Sequence, residues 1–401
     1  MRSSSTPSKD VALWAAAVVI GAGVASAFHV GKLPPAIPVL AQDLGVTLVQ
    51  AGFLLAVIQV AGMSLGALMG MVADRWGPRR VMLLGLALLS LGSAAGALAQ
   101  RAEALLATRA LEGLGFLLAV LPAPGLIRRQ LQDPAALHRA LGVWGAYMPI
   151  GAATTLLAGP VVYLTLGWRA GWLVLAALSA LCAWSVWRWV PPDPATEPAV
   201  DVSGVWGRLR LTLSSSGPWL VALAFLVYSG QWLAVVGFLP TIYTAAGWSP
   251  ALVGVLSALA AGVNLIGNVG AGRALARGVR PATLLGVGYG VMALGAVLTF
   301  APILPAWAQY LAVLLFSAVG GLIPGTLFTL SVRLAPHPKA VSTTVGWVQQ
   351  LSSLGQFAGP PLVAWMATVA GGWHLTWTVN VACCGVGVVL AWRLQRRLQQ
   401  V

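Results

Sequence analysis

Three charged side chains stand well inside long apolar stretches of this sequence. Lys32 lies in the run from Val11 to Ala41, and Arg109 and Glu112 lie three residues apart in the run 103–127. A charge at membrane depth costs several kcal/mol by most measures, so each is a candidate for handling an ion or a proton. His29 precedes Lys32 by one helical turn and would share its face. Two chemistries fit these residue types. Lys32, His29 and the planar fork of Arg109 can hold an anion, while Glu112, the one interior acid, can take and release a coupling proton. Blander readings stand beside them. Lys32 sits roughly 9 Å beyond the middle of its run and could reach for the water interface, and Arg109 and Glu112 could simply neutralise each other.

Uncharged candidates follow in the second half of the chain: Tyr228, Gln231, Asn264 and Gln349. They are expected to add hydrogen bonds to a substrate, although polar glue between helices explains any single one of them as well. Other chemistry is missing from the sequence. It has no Walker loop, no His-Glu-x-x-His and no plausible nucleophilic triad, and His138 and His337 fall in polar loops. Cys182, Cys383 and Cys384 lie in apolar stretches without metal-ligand spacing and read as packing residues. Neither an enzyme nor an ATP-driven pump is expected, and no cofactor or metal.

The elements that position these residues follow from composition. Hydrophobic residues make up 59% of the 401 and charged residues 8%, against roughly a quarter charged in a soluble domain. A span needs roughly 20 apolar residues, so the chain is nearly filled by a dozen of them. Apolar runs between Gly, Pro and charges place spans near 11–41, 46–72, 80–100, 103–127, 139–165, 170–190, 218–245, 250–274, 281–303, 306–334, 340–370 and 373–393. The first run is too long for the core of a cleaved signal and is expected to stay as a span. The net charge of +14 does not mark a nucleic-acid partner, because the charges sit between apolar runs. Of 23 Lys and Arg, all but Lys32, Arg101, Arg109 and Arg169 fall in segments that share one side of the membrane. The positive-inside rule makes that side cytoplasmic, with both termini there and the chain in a bacterial inner membrane.

The chain also repeats itself. At an offset of 202, Pro38 meets Pro240, Gly45 meets Gly247, Gly52 meets Gly254, Gly70 meets Gly272 and Arg75 meets Arg277. Ala158-Gly159-Pro160 recurs as Ala358-Gly359-Pro360, and Gly167-Trp168-Arg169 with Trp172 recurs as Gly372-Trp373-His374 with Trp377. Residues 1–190 and 218–401 are therefore expected to form two related six-span bundles, joined by a polar cytoplasmic linker at 191–217. At the same offset Gln231 takes the place of His29.

Between the second and third spans runs Gly70-Met71-Val72-Ala73-Asp74-Arg75-Trp76-Gly77-Pro78-Arg79-Arg80. This resembles the cytoplasmic-loop signature of the major facilitator superfamily. Arg109-Ala110-Leu111-Glu112-Gly113 resembles that family's second signature, and the resemblance covers nearly the whole chain. It implies an all-α membrane fold of twelve helices in two pseudo-symmetric bundles, a cavity lined by spans one, four, seven and ten, and alternating access. It further implies a gating latch at Gly70, Asp74, Arg75, Gly77, Arg79 and Arg80. The second-half loop has Ala276 where Asp74 stands, so any latch there must be weaker. The stretch from Phe28 to Pro35, followed by Asp43-Leu44-Gly45, looks most like the cyanate and nitroimidazole permease branch and its organic-anion relatives. The expected function is secondary transport of a small anionic solute, coupled to protons. Expected partners are that solute, protons and lipid, and the chain is expected to act as a monomer. A drug/proton antiporter is the alternative, favoured by Gly142, Gly151, Gly159 and Pro160 in the fifth span. A non-transporting scaffold would leave the buried charges unexplained.

Overall fold

Runs of Leu, Val, Ala and Gly this long offer few polar side chains, and in lipid their backbone must satisfy its own hydrogen bonds, which an α-helix does. The computed structural model describes residues 9–66, 76–131, 133, 136–137, 140, 143–144, 146–193, 202–301, 303–337 and 340–399. Ten helical runs among them are long and apolar enough to cross a membrane: Asp10–Leu44, Leu48–Gly66, Pro78–Ala97, Ala102–Gln130, Tyr147–Trp189, Ser216–Ala245, Pro250–Ala276, Pro281–Phe300, Ala306–Arg333 and Trp373–Leu398. Tyr147–Trp189, at 43 residues, is twice what a bilayer takes, and it breaks at Gly167, whose φ of 78° suits glycine. It makes the fifth and sixth passes. Val341–Val369 supplies the eleventh, giving the twelve spans that the apolar pattern predicts.

Where a span begins, the sequence shows why. The second starts with Thr47 accepting from the backbone of Gln50 while the Gln50 side chain accepts from Thr47 N–H, directly after Gly45 ends the first in the left-handed conformation. The third, eighth and ninth open on Pro78, Pro250 and Pro281, whose missing N–H costs nothing in a first turn. Several spans are interrupted. The first breaks at Lys32, ahead of Pro34 and Pro35, the eighth at Val263, and the tenth at Gly321. The tenth-span break falls at Gly321, three residues before Pro324. A side chain at Gly321 would lie 2.0 Å from the Asn264 carbonyl, so glycine is required where these two broken spans meet.

The polar segment between the sixth and seventh spans is not wholly irregular. It contains a helix, Val202–Leu213, whose Thr212 faces Thr344 of the eleventh span at 3.5 Å. Polar composition hid the helical spacing of Trp206, Leu209 and Leu213.

Call the end where the chain enters the first span proximal and the opposite end distal. One apolar core lies among the first six spans, with Val19, Met82, Leu86, Leu126 and Val186, and another among the last six, with Phe225, Tyr289, Met292, Phe316 and Leu394. A third core, near the distal end, takes residues from both sets: Leu33, Leu40, Leu54 and Trp172 pack with Ala234, Phe238 and Val363. Gly52 meets Pro360 and Pro361 there, and Gly254 meets Leu157. The two sets of spans are thus sealed together distally by backbone-close packing. Outward-facing Leu164, Leu166, Ile266 and Val369 are more than three-fifths exposed, as residues facing lipid are.

Candidate functional site

Lys32 stands between the two helical stretches of the first span, and its side chain reaches the fourth. Lys32 Nζ donates to Glu112 Oε1 at 2.5 Å and to Ser93 Oγ of the third span at 2.9 Å. It lies 3.4 Å from His29 Nδ1 and 4.4 Å from the centre of the Trp172 ring. Arg109 Nη1 donates to Glu112 Oε2 at 2.6 Å and to the His29 carbonyl at 2.6 Å. His29 Nε2 meets Ser179 Oγ of the sixth span at 2.7 Å. Ser93 donates onward to the Trp172 carbonyl, and Tyr163 OH donates to the Lys32 carbonyl. One carboxylate therefore joins two cations, and five spans contribute to the network around it.

His29, Lys32, Arg109 and Glu112 are all fully buried. Lys32 therefore does not reach for the interface, and the Arg109–Glu112 pair is one arm of a larger cluster. The approach is permitted by Gly92: a side chain there would come within 3.0 Å of Glu112 Cγ. Formally the cluster carries one positive charge in excess. Arg109 Nε and Nη2 are buried without a hydrogen-bond partner among the described residues. Leaving such donors unmade costs about 1–3 kcal/mol, more where charge is involved, and an anion set against that edge would recover it.

In the second half, Asn264 Nδ2 donates to Tyr228 OH at 3.0 Å and to the Ser317 carbonyl at 2.8 Å. Trp232 Nε1 reaches Ser317 Oγ at 3.1 Å. Gln231 Nε2 bonds the Val227 carbonyl of its own helix, and Cys384 Sγ donates to Gln231 Oε1 at 3.3 Å. Cys384 is thus more than a packing residue. The Gln231–Cys384 contact mirrors His29–Ser179, in both cases joining the first span of a bundle to its sixth. Tyr228, Gln231 and Asn264 are brought to the second bundle's interior and not against the charge cluster, whereas Gln349 is exposed. Across the two halves, Gln59 donates to Gln356 at 3.0 Å and Gln350 to the Met63 carbonyl at 2.8 Å.

Of the loop residues, Gly70, Asp74 and Arg75 lie outside the described residues. Gly77 turns with φ 93°, and the N–H groups of Arg79 and Arg80 both donate to the Asp193 carboxylate at 3.1 Å. Arg129 Nη1 also meets Asp193, at 2.9 Å, and the Arg79 guanidinium reaches the Trp187 carbonyl. Asp193 ties the proximal ends of spans three, four and six. The sequence reading missed it, together with Ser93, Ser179, Trp172 and Tyr163. Asp193 leaves a signal of its own, an acid just after the sixth span facing the Arg pair, and Trp172 leaves one in its repeat at Trp377. Hydroxyls such as Ser93 and Ser179 leave none.

Twelve helical spans around a buried ionic cluster define an integral membrane protein. The family model for the Major Facilitator Superfamily matches residues 13–357, and the chain belongs to that superfamily, a family of transporters and not of enzymes. Among curated relatives, the puromycin resistance protein pur8 of Streptomyces alboniger is 33% identical over 189 residues, covering 47% of this chain and 37% of that protein. This chain spans about a third of the length of the first curated relatives it matches. The 3-(3-hydroxy-phenyl)propionate transporter of Escherichia coli K12 is 27% identical over 367 residues, covering 88% of this chain and 85% of that one. A bacterial homolog of the human lysosomal transporter Spinster, solved in an inward-facing, unoccupied conformation, superposes with a TM-score of 0.78 over 98% of both chains at 17% identity, which shows the same fold.

Proposed function

We propose that this protein carries a small organic anion, of the aromatic monocarboxylate class, across a bacterial inner membrane by alternating access and together with a proton. The observation that carries this reading is the unpartnered Nε and Nη2 edge of Arg109, inside a cluster whose formal charge is +1. A substrate carboxylate fits that edge in the two-pronged geometry that guanidinium favours. As Arg109 and Lys32 turn toward the substrate, Glu112 loses its counter-charges and becomes the group that takes the proton. Ser93, Ser179 and Trp172 orient Lys32 and His29 in the meantime. The long match to a carrier named for a phenylpropionate supports the substrate class.

In this reading residues 1–190 and 218–401 move as two bundles about the distal seal, with 191–217 as the linker. Tyr228, Gln231, Asn264 and Gln349 are the second bundle's contributions to substrate passage, and the Gly70 to Arg80 loop is the latch. Both termini are cytoplasmic, and the chain works as a monomer. Drug export is the second reading, supported by the resistance proteins among the relatives, each matched over less than half of this chain.

Uptake into proteoliposomes, with labelled aromatic and aliphatic monocarboxylates, dicarboxylates, cyanate and a lipophilic cation, separates the two. Saturable uptake of an acid that an imposed pH gradient drives, and that Glu112→Gln makes indifferent to the gradient, is expected. Strong transport of the cation with none of any anion sinks the proposal.

A further inference from the structure

A cavity of about 220 Å³ opens at the distal face of the second bundle, between the ends of spans seven, nine, ten and twelve. Its walls include Tyr243 and Trp248, stacked at 4.6 Å, with Tyr310 edge-on to Tyr243 at 6.3 Å and Trp373 nearby. Ala246, Ala306 and His374 at its rim are exposed, so the mouth faces outward. Tyr243 is only 7% exposed, yet its hydroxyl is buried with no hydrogen-bond partner among the described residues. Buried hydroxyls are normally satisfied, and this one sits on a side chain that lines the cavity.

The first bundle explains why the space exists. At the equivalent corner it holds the long side chain of Arg109 and an ion pair of Asp43 with Arg169, the latter stacked on Trp168. In the second bundle Gly295 faces Phe316 as Gly92 faces Glu112, which sets Val313 at the place of Arg109, and the repeat sets Ala245 and His374 at the other two. Removing an arginine and an acid, and shortening a second arginine to histidine, leaves a void lined by the rings that remain.

We infer that this cavity is a second ligand site, outside the charge cluster, for a single-ring aromatic acid whose ring lies among Tyr243, Trp248 and Tyr310 and whose carboxylate meets the Tyr243 hydroxyl and His374. The volume is below the roughly 300 Å³ at which pockets for drug-sized ligands begin, so it suits one ring with a short tail. Flat aromatic walls select a planar guest. Such walls also suit an ammonium, but no carboxylate is among the lining residues and an imidazole stands at the mouth, which favours an anion. The inference rests on the cavity and not on the proposed role of Arg109, and binding tests it without transport.

Equilibrium dialysis of the purified full chain with labelled 3-phenylpropionate counts bound equivalents. Wild type is expected to hold two and Ala246→Trp, which fills the mouth, one. If the charge cluster takes no acid, the counts become one and none, so the two readings fail separately. Tyr243→Phe is expected to weaken the distal equivalent about five-fold, the worth of one hydrogen bond. Unaltered stoichiometry in Ala246→Trp, or equal competition by phenethylamine, overturns the inference.

Discussion

The two bundles are built on one plan and differ at its centre. In the first, Gly85 and Gly92 of the third span lie against Gly115 and Glu112 of the fourth; in the second, Gly288 and Gly295 of the ninth lie against Val319 and Phe316 of the tenth. That register sets Phe316 where Glu112 stands, Ala296 where Ser93 stands and Val313 where Arg109 stands. Ala234 takes the place of Lys32 at the 202-residue offset, and Val235 beside it fills the interior with Met292 and Phe316. At these equivalent positions one six-span bundle thus has an ion cluster and its twin has apolar packing. The twin teaches that the architecture does not need the charges. Buried ion pairs repay their desolvation poorly, and well-packed apolar groups often replace them without loss. The cluster's presence on one side is what the proposed transport role accounts for.

The largest effect is expected from breaking the cluster unevenly. Glu112→Ala leaves Lys32 and Arg109 buried without their carboxylate, and should cost about 3–5 kcal/mol and abolish transport. Thermal unfolding in detergent, read beside proteoliposome uptake, checks both. Converting the first bundle to the second's chemistry, with Lys32→Met, Arg109→Met and Glu112→Leu together, should give a protein as stable as wild type or up to about 4 kcal/mol more so, and still without transport. A triple variant that fails to fold would mean that the first bundle uses its charges structurally, and the comparison would collapse. Least of all, Gln231→Leu should cost only about 0.6 kcal/mol of stability, the average of an interhelical hydrogen bond in a membrane, because its side chain bonds Cys384 and its own helix and not the charge cluster. A shift in melting temperature as large as that of Glu112→Ala would make the second bundle's polar contacts equal partners.

Much of this is legible in the sequence. The spans show in the lengths of apolar runs, and Gly45, Gly167 and the span-opening prolines mark turns because few residues tolerate those backbone positions. The helix Val202–Leu213 was obscured by its polar neighbours, and the breaks at Lys32 and Val263 had no unambiguous mark. In the site, His29 and Lys32 read as one group and Arg109 and Glu112 as another, since each pair shares a helix face. That the two groups are one depended on a contact 80 residues apart in sequence.

By itself the sequence determined the class of protein. Few charges and many long apolar runs leave only membrane spans, and interior Lys, Arg and Glu must find partners, because hydrocarbon offers no water to solvate them. The Arg109–Glu112 pair follows from their spacing on one helix, whereas the partner of Lys32 was decided by the tertiary structure. Apolar length and periodicity are local properties of a chain, whereas the Lys32–Glu112 bond, the unpartnered edge of Arg109 and the cavity beside Tyr243 depend on how each helix is rotated and how closely it meets its neighbours. The same packing plan, filled with arginine and acid in one bundle and with valine and phenylalanine in the other, set a charge cluster on one side and an aromatic void on the other.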